Sequence, residues 1–247
     1  LGSALPHLVR MLGVSFEWKL TIAVSSVFAC IGGVQILMLG AGPYGQSKSE
    51  SFPLLQTIKQ LLFNRDYVSS ALGYFGHMWE LYAFWACVPI LLLSTLERPS
   101  AEQVAGFSFL IIGIGSLGCF CSGFLSQKFG SPSIAAVSLV MSASACLLYP
   151  LIPNYLASTK ILVLIFWGFF VISDSPLYSS ISAQAAPKEI VGTALVIQNC
   201  IGFSISMISI LICTYSFPVI QQKIAWILLP GPLIALLFFH RLIGKNY

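Results

Sequence analysis

Long apolar runs separated by short polar breaks dominate the chain, and their lengths govern how everything else is read. About 20 residues are needed to cross roughly 30 Å of hydrocarbon. The runs near 20–41, 67–94, 102–126, 132–151, 160–185, 191–214 and 222–243 each reach that length, which predicts approximately seven spans. Lipid offers no water to backbone N–H and C=O groups, so a spanning segment is a helix or a strand of a closed barrel. Barrel strands are alternating segments of about ten residues; these runs are longer and apolar throughout. The expected fold class is an all-α membrane protein, a polytopic helical bundle of about seven transmembrane helices.

One substantial polar connection, 42–66, divides the spans one plus six and carries Pro43, Gly45, Lys48, Glu50, Pro53, Lys59 and Arg65. Within it Phe52, Leu55, Ile58, Leu61 and Leu62 recur at helical spacing, which suits a short amphipathic helix lying on the membrane face. A solvated linker fits the same segment. The chain begins at Leu1, and Leu1-Gly-Ser-Ala-Leu-Pro-His7 suits the end of a preceding membrane helix, so the chain is expected to be a fragment of a longer protein.

Composition strengthens the membrane reading: 57% of residues are hydrophobic and only 8% charged, with a mean hydropathy of +0.90, whereas soluble domains carry about 25% charged residues. The net charge of +4 comes from scattered residues with no basic stripe, so no nucleic-acid partner is expected. With 42–66 on the cytoplasmic side and the spans alternating, Lys48, Lys59, Arg65, Lys128, Lys188, Arg241 and Lys245 fall inside, and Arg98, Lys160 and Lys223 outside. That balance follows the positive-inside rule, and Arg10 and Lys19 before the first span weaken it. The C-terminus is then cytoplasmic, with the cell (inner) membrane as the expected location. Cys30, Cys87, Cys119, Cys121, Cys146, Cys200 and Cys213 all lie in apolar stretches without metal-ligand spacing and read as small hydrophobes. No metal site or cofactor is expected.

The candidate chemistry lies in ionisable residues at mid-span, which cost roughly 2.5 to 3.5 kcal/mol at the bilayer centre and so face a polar cavity or one another. His77 and Glu80, three apart, share a helix face with Gly73 and Phe84. Histidine titrates near neutral pH, so the pair is able to share a proton; a permanent structural pair fits the same spacing. Asp174 sits in Ser173-Asp-Ser-Pro176, where the proline removes a donor, frees the carbonyl of Ile172 and is expected to kink the helix. Serines 173, 175, 179, 180 and 182 make this span unusually polar, which suits either a cavity lining or local satisfaction of Asp174. Gln198 and Asn199 suit substrate contact or interhelical bonds. Trp79 and Tyr82, with Trp85, suit an aromatic cavity wall or plain packing. His77, Glu80 and Asp174 are the expected proton-coupling or substrate path, and Trp79, Tyr82, Gln198 and Asn199 a possible substrate cavity.

The segment Gly123-Phe-Leu-Ser-Gln-Lys128-Phe-Gly130 resembles the glycine-x-x-x-acid-base-x-glycine loop signature of the major facilitator superfamily, with Gln127 where the family acid stands. Pro187-Lys-Glu-Ile-Val-Gly192 is similar to that family's proline-x-x-x-arginine-glycine turn, with Val191 in place of the arginine. The runs from Gly73 to Tyr82 and from Gly192 to Asn199 also resemble bacterial members. The resemblance implies that 1–41 ends the N-terminal half, including one transmembrane helix, that 42–66 is the cytoplasmic central loop, and that 67–247 is the six-helix C-terminal half. It also implies that the N-terminal half is missing and that Gly123, Gln127, Lys128 and Gly130 form a gating loop, its glycines allowing close helix approach and a tight turn, its charge latch weakened by Gln127.

The expected function is secondary active transport of a small solute by alternating access, by proton-coupled symport or antiport, with the lipid bilayer, protons and the solute as partners. No glycine-x-x-x-x-glycine-lysine-serine/threonine stretch is present, so ATP-driven transport would need another subunit. The chain is not expected to be an enzyme. Alternatives are a seven-helix membrane receptor, although no lysine lies deep in the last span, and an intramembrane enzyme, although no second catalytic aspartate accompanies Asp174.

Overall fold

In a computed structural model of the chain, residues 2–12, 18–39 and 53–244 are described, and among them the regular structure is helical, with no strand. Six stretches are long and apolar enough to cross a membrane: Ile22–Leu39, Arg65–Thr95, Ala101–Phe129, Ser131–Leu151, Ala157–Ala185 and Lys188–Leu242. They mark the chain as an all-helical, multi-pass integral membrane protein. Pro43, Gly45, Lys48, Glu50 and Phe52 of the polar connection, and Lys245, lie outside the described residues.

The helices are α1 (Leu5–Leu12), α2 (Trp18–Leu39), α3 (Leu54–Phe63), α4 (Arg65–Thr95), α5 (Ala101–Gly113), α6 (Gly115–Phe129), α7 (Ser131–Leu148), α8 (Ala157–Phe170), α9 (Ser175–Ala185), α10 (Val191–Ile220), α11 (Ile224–Leu228) and α12 (Pro230–Phe239). Local chemistry sets several of their ends. The Asn64 side-chain oxygen accepts from the N–H groups of Asp66 and Tyr67, each at 3.1 Å, which caps α4. Its amide nitrogen donates to the carbonyl of Ala185 at 2.6 Å, so one side chain ties the start of α4 to the end of α9. Ser100 and Gln103 form a reciprocal capping box at α5. Pro132, Pro176 and Pro230 sit in the first turns of α7, α9 and α12, where a missing N–H costs nothing.

The last stretch, Lys188–Leu242, runs for 55 residues, about 80 Å if straight at 1.5 Å per residue, well beyond a single crossing. It reverses at Gln221, which holds a φ of +49° at the end of α10. On one side of α4, contacts climb together: Tyr67 donates to the Ala194 carbonyl, Ser206 to that of Met78 and Ser209 to that of Trp79. On the other side they run in opposition, with Gln222 donating to the Ser94 carbonyl and Trp79 to that of Ile227, while Gly231 packs on Gly76. Thus α10 is parallel to α4, and α11 with α12 antiparallel to it.

The 31 residues of α4 give it a length of about 46 Å, and it is the post around which the others stand. It meets α10, α12, α9, α5 and α8. At its closest approach, a β-carbon on Gly76 would strike the Gly231 carbonyl and lie 2.9 Å from Ala235. Small residues at such crossings let helices approach where lipid supplies no hydrophobic drive. At the end opposite α3, the Lys160 ammonium is fully buried. It donates to Asn154 Oδ1 at 2.6 Å and to Gln222 Oε1, and stands 5.4 Å from the centre of the Tyr149 ring.

The connection before α4 contains the expected short helix, α3. Thr57 and Leu61 are buried, and Leu61 packs in a cluster with Tyr67, Ala186, Ile190 and Ala194, while Leu55 and Leu62 remain 81% and 69% exposed. The expected stripe is thus split between the protein and the surface. By contrast the described apolar side chains of α2 are nearly all exposed, Leu37, Met38 and Leu39 each above 80%, an exposure that suits lipid as solvent.

The loop between α6 and α7 corrects part of the gating expectation. Gly130 has a φ of +81° and links the two helices directly, a conformation that favours glycine. Gly123 makes no close approach, since a β-carbon there would meet nothing within 4 Å. Gln127 and Lys128 are exposed, and the Lys128 ammonium rests 5.3 Å from the centre of the Phe129 ring of its own helix. The tight turn is present, and the close helix approach of α6 falls at Gly118, where a β-carbon would strike the Phe169 carbonyl, and not at Gly123.

Gly76→Leu should therefore lower the melting temperature of the detergent-purified protein by several degrees, because overpacking costs about 1–3 kcal/mol. Gly123→Leu should leave it within about a degree of wild type, as surface changes usually do. Thermal size-exclusion or differential scanning fluorimetry reads both.

Candidate functional site

The stripe Gly73, His77, Glu80 and Phe84 of α4 is buried and turned toward α7, α8 and α9. His77 and Glu80 are each 1% exposed and Asp174 is 2% exposed. The three titratable groups lie inside this bundle, walled by its own helices.

Glu80 and His77 do not pair, which corrects the expectation from their spacing. Glu80 Oε1 accepts from Ser142 Oγ at 2.5 Å, Trp167 Nε1 at 2.6 Å and Cys146 Sγ at 3.2 Å. Ser142 and Cys146 are four apart and share a face of α7, while Trp167 reaches in from α8. The Trp167 ring also packs 4.4 Å from that of Phe84. One carboxyl oxygen thereby joins three helices.

His77 turns instead to Asp174, with Nδ1 2.9 Å from Oδ1. Close as it is, the contact is not aligned as a hydrogen bond, and Asp174 Oδ1 has no hydrogen-bond donor among the described residues. Tyr178 lies over the same imidazole, its ring centre 5.5 Å away, and Tyr74 is 6.1 Å away.

Asp174 owes its position to a break in the helix, as the sequence predicts. Pro176 cannot donate to the Ile172 carbonyl, so α8 stops at Phe170 and α9 starts at Ser175. The freed carbonyl accepts from the Ser175 N–H at 3.0 Å and from Cys119 Sγ at 3.3 Å. The surrounding serines do not satisfy Asp174: Ser173 Oγ donates to the Phe169 carbonyl and Ser182 bonds to Ser70 at 2.7 Å.

The remaining candidates divide. Trp79 Nε1 donates to the Ile227 carbonyl at 2.9 Å and serves packing between α4 and α11. Tyr82 is half-buried, edge-on to Trp85 at 5.2 Å and 5.5 Å from Phe203. Asn199 is exposed and accepts from Tyr74 Oη at 3.0 Å, whereas Gln198 is 1% exposed and its Oε1 has no partner among the described residues. Trp79 thus turns toward α11 and Tyr82 toward Trp85 and Phe203, while Asn199 reaches the neighbourhood of the His77 ring through Tyr74. Trp167, Ser142, Cys146 and Tyr178 were not among the expected site residues. The available signals were a tryptophan at mid-span in an apolar run and a serine–cysteine pair at helical spacing.

Among the described residues, no group of three or more His, Cys, Asp or Glu side chains is placed to hold a metal ion. No protein-family model matches the chain, and no curated protein matches it significantly.

Glu80→Ala would strand three donors at once, each unsatisfied buried group costing about 1–3 kcal/mol. It should sharply reduce the yield of folded, monodisperse protein in detergent. Glu80→Gln, whose amide oxygen accepts the same bonds, should restore most of that yield; equal loss in both variants would show that the donors do not depend on an acceptor there.

Proposed function

We propose that the chain is part of a secondary active transporter of the major facilitator type, moving a small solute by alternating access with proton-coupled symport or antiport. In this reading α2 is the last helix of the first half, 42–66 is the cytoplasmic central loop with α3 on the membrane face, and 67–247 is the six-helix second half. The reversal at Gln221 then gives the last stretch two crossings and the chain seven. The N-terminal half of the same protein is the partner. The C-terminus is cytoplasmic and the location is the cell membrane.

The observation that carries the reading is the pair of His77 and Asp174, both at most 2% exposed and 2.9 Å apart, at a helix break in the middle of an apolar span. Ionisable residues within spans mark ion and substrate paths, and broken helices at mid-membrane are where carriers place such sites. Asp174 gains its importance from the contrast with Glu80. Glu80 is held by three donors from two helices, while Asp174 Oδ1 has none, so Asp174 is the carboxylate free to exchange a proton with the imidazole. Coupling is therefore assigned to His77 and Asp174, and Glu80 holds the helices around them.

Reconstituted full-length protein tested with a solute panel and an imposed pH gradient should accumulate its solute. Asp174→Asn should abolish gradient-driven accumulation while leaving solute exchange within a few-fold of wild type, and Glu80→Gln should retain both. Undiminished accumulation in Asp174→Asn would remove the assigned coupling role.

A further inference from the structure

We infer that the lipid-facing groove between α4 and α12 binds one anionic phospholipid, its phosphate held by Arg65 and Arg241 and one acyl chain laid along the groove toward Trp79. The inference rests on the chain's place in a bilayer and not on the transport reading.

Two cavities adjoin along these helices. One, of about 460 Å³, lies between α4, α10 and α12 and is walled by Leu72, Phe75, Trp79, Ile208 and Ile234 over a floor at Gly76 and Gly231. The other, of about 330 Å³, lies at the α3 end and is walled by Arg65, Val68, Leu72, Phe238, His240 and Arg241. Leu72 borders both, so they follow one another along α4 as a groove that is basic at one end and apolar at the other.

Its course follows from helical periodicity. Arg65, Val68, Leu72, Phe75 and Trp79 are spaced alternately by three and four, which sets them on one stripe of α4. Across from them Arg241, Phe238, Ile234 and Gly231 repeat that spacing in reverse, because α12 runs antiparallel. The walls open outward: Ile208, Ile234 and Leu237 are 53%, 46% and 68% exposed. At this depth such side chains meet acyl chains and not water. From Arg65 to Trp79 the groove runs about 21 Å along α4, more than half of the roughly 30 Å hydrocarbon thickness. That is the reach of one acyl chain whose headgroup lies at the arginines.

The basic end calls for an anion. Arg65 opens α4, where the helix dipole is already positive, and Arg241 borders the same cavity. Neither arginine forms an ion pair among the described residues, and Asp66, next to Arg65 in sequence, does not line the cavity. Guanidinium groups recognise phosphate through paired N–H bonds, and basic pockets between transmembrane helices take anionic head groups. A zwitterionic headgroup would bring its own cation to two arginines, and a soluble anion would leave the apolar walls uncovered. Charge and length together select an anionic phospholipid.

Native mass spectrometry of the full-length protein in neutral detergent tests this, with palmitoyl-oleoyl phosphatidylglycerol titrated against the matching phosphatidylcholine. One phosphatidylglycerol should be retained about thirtyfold more tightly, the preference that two arginines near a membrane surface supply. Arg65→Gln combined with Arg241→Gln should abolish that preference, and Ile234→Trp, which fills the groove, should weaken both lipids several-fold. All three positions are exposed, so the variants should melt within about a degree of wild type. Equal retention of the two lipids by wild type, or a preference that survives in the double variant, overturns the site. Glycerol phosphate competing as well as the lipid would leave a free-anion site only, and undiminished binding in Ile234→Trp would take the acyl chain out of the groove. A dimer that Ile234→Trp dissolves and phosphatidylglycerol does not would give the groove to a second copy. Each of these three results also overturns the proposal.

Discussion

At bilayer depth every buried polar atom has to find its partner within the protein, and the placement of helices around α4 follows from that constraint. A charged side chain at the membrane centre costs roughly 2.5 to 3.5 kcal/mol, yet α4 carries both His77 and Glu80. Glu80 draws Ser142 and Cys146 of α7 and Trp167 of α8 onto one oxygen. His77 draws the broken end of α9 to its other flank. Three neighbours of α4 are thus positioned by two side chains on one stripe.

Its other neighbours are held differently. No hydrophobic drive brings helices together in lipid, so packing and interhelical bonds must do so. On α10, Ser206 and Ser209 donate to carbonyls of α4 at 2.6 Å each, and Gly202 lets Tyr74 and Met78 close in. On α12, Gly231 opposes Gly76 backbone to backbone. The polar stripe of α4 faces one way and its small-residue contacts face others, which is how one helix serves as the common wall for so many partners.

The spans were legible because a run of apolar residues and the bilayer thickness are both local quantities: the starts of α4, α5 and α8 fall within three residues of the predicted 67, 102 and 160. The break at Asp174 was legible for the same reason, since Pro176 removes a bond four residues away. The pairings were not. The spacing of His77 and Glu80 fixes a shared face and says nothing of what the face meets, and their partners lie 62 to 97 positions away on other helices. Gly123 illustrates the converse: the loop pattern marked a glycine where nothing approaches, while Gly76, Gly118 and Gly168 bear helix crossings too tight for a β-carbon.

The two buried carboxyls differ in a way that spacing along the chain does not reveal. Glu80 projects from the interior of a continuous helix into a pocket completed by two others, so any loss of its partners requires α7 or α8 to move. Asp174 stands where the helix is interrupted, its backbone carbonyl accepting the first bonds of α9 while its Oδ1 is left without a hydrogen-bond donor. A group that releases and regains a proton needs partners that are exchangeable, and an imidazole misaligned at 2.9 Å, with the unpartnered Tyr178 hydroxyl on the ring beside it, provides them. The same interruption that costs α8 its continuity leaves the carboxylate able to change partners, and that links the proline at 176 to the coupling role proposed for the residue two places before it.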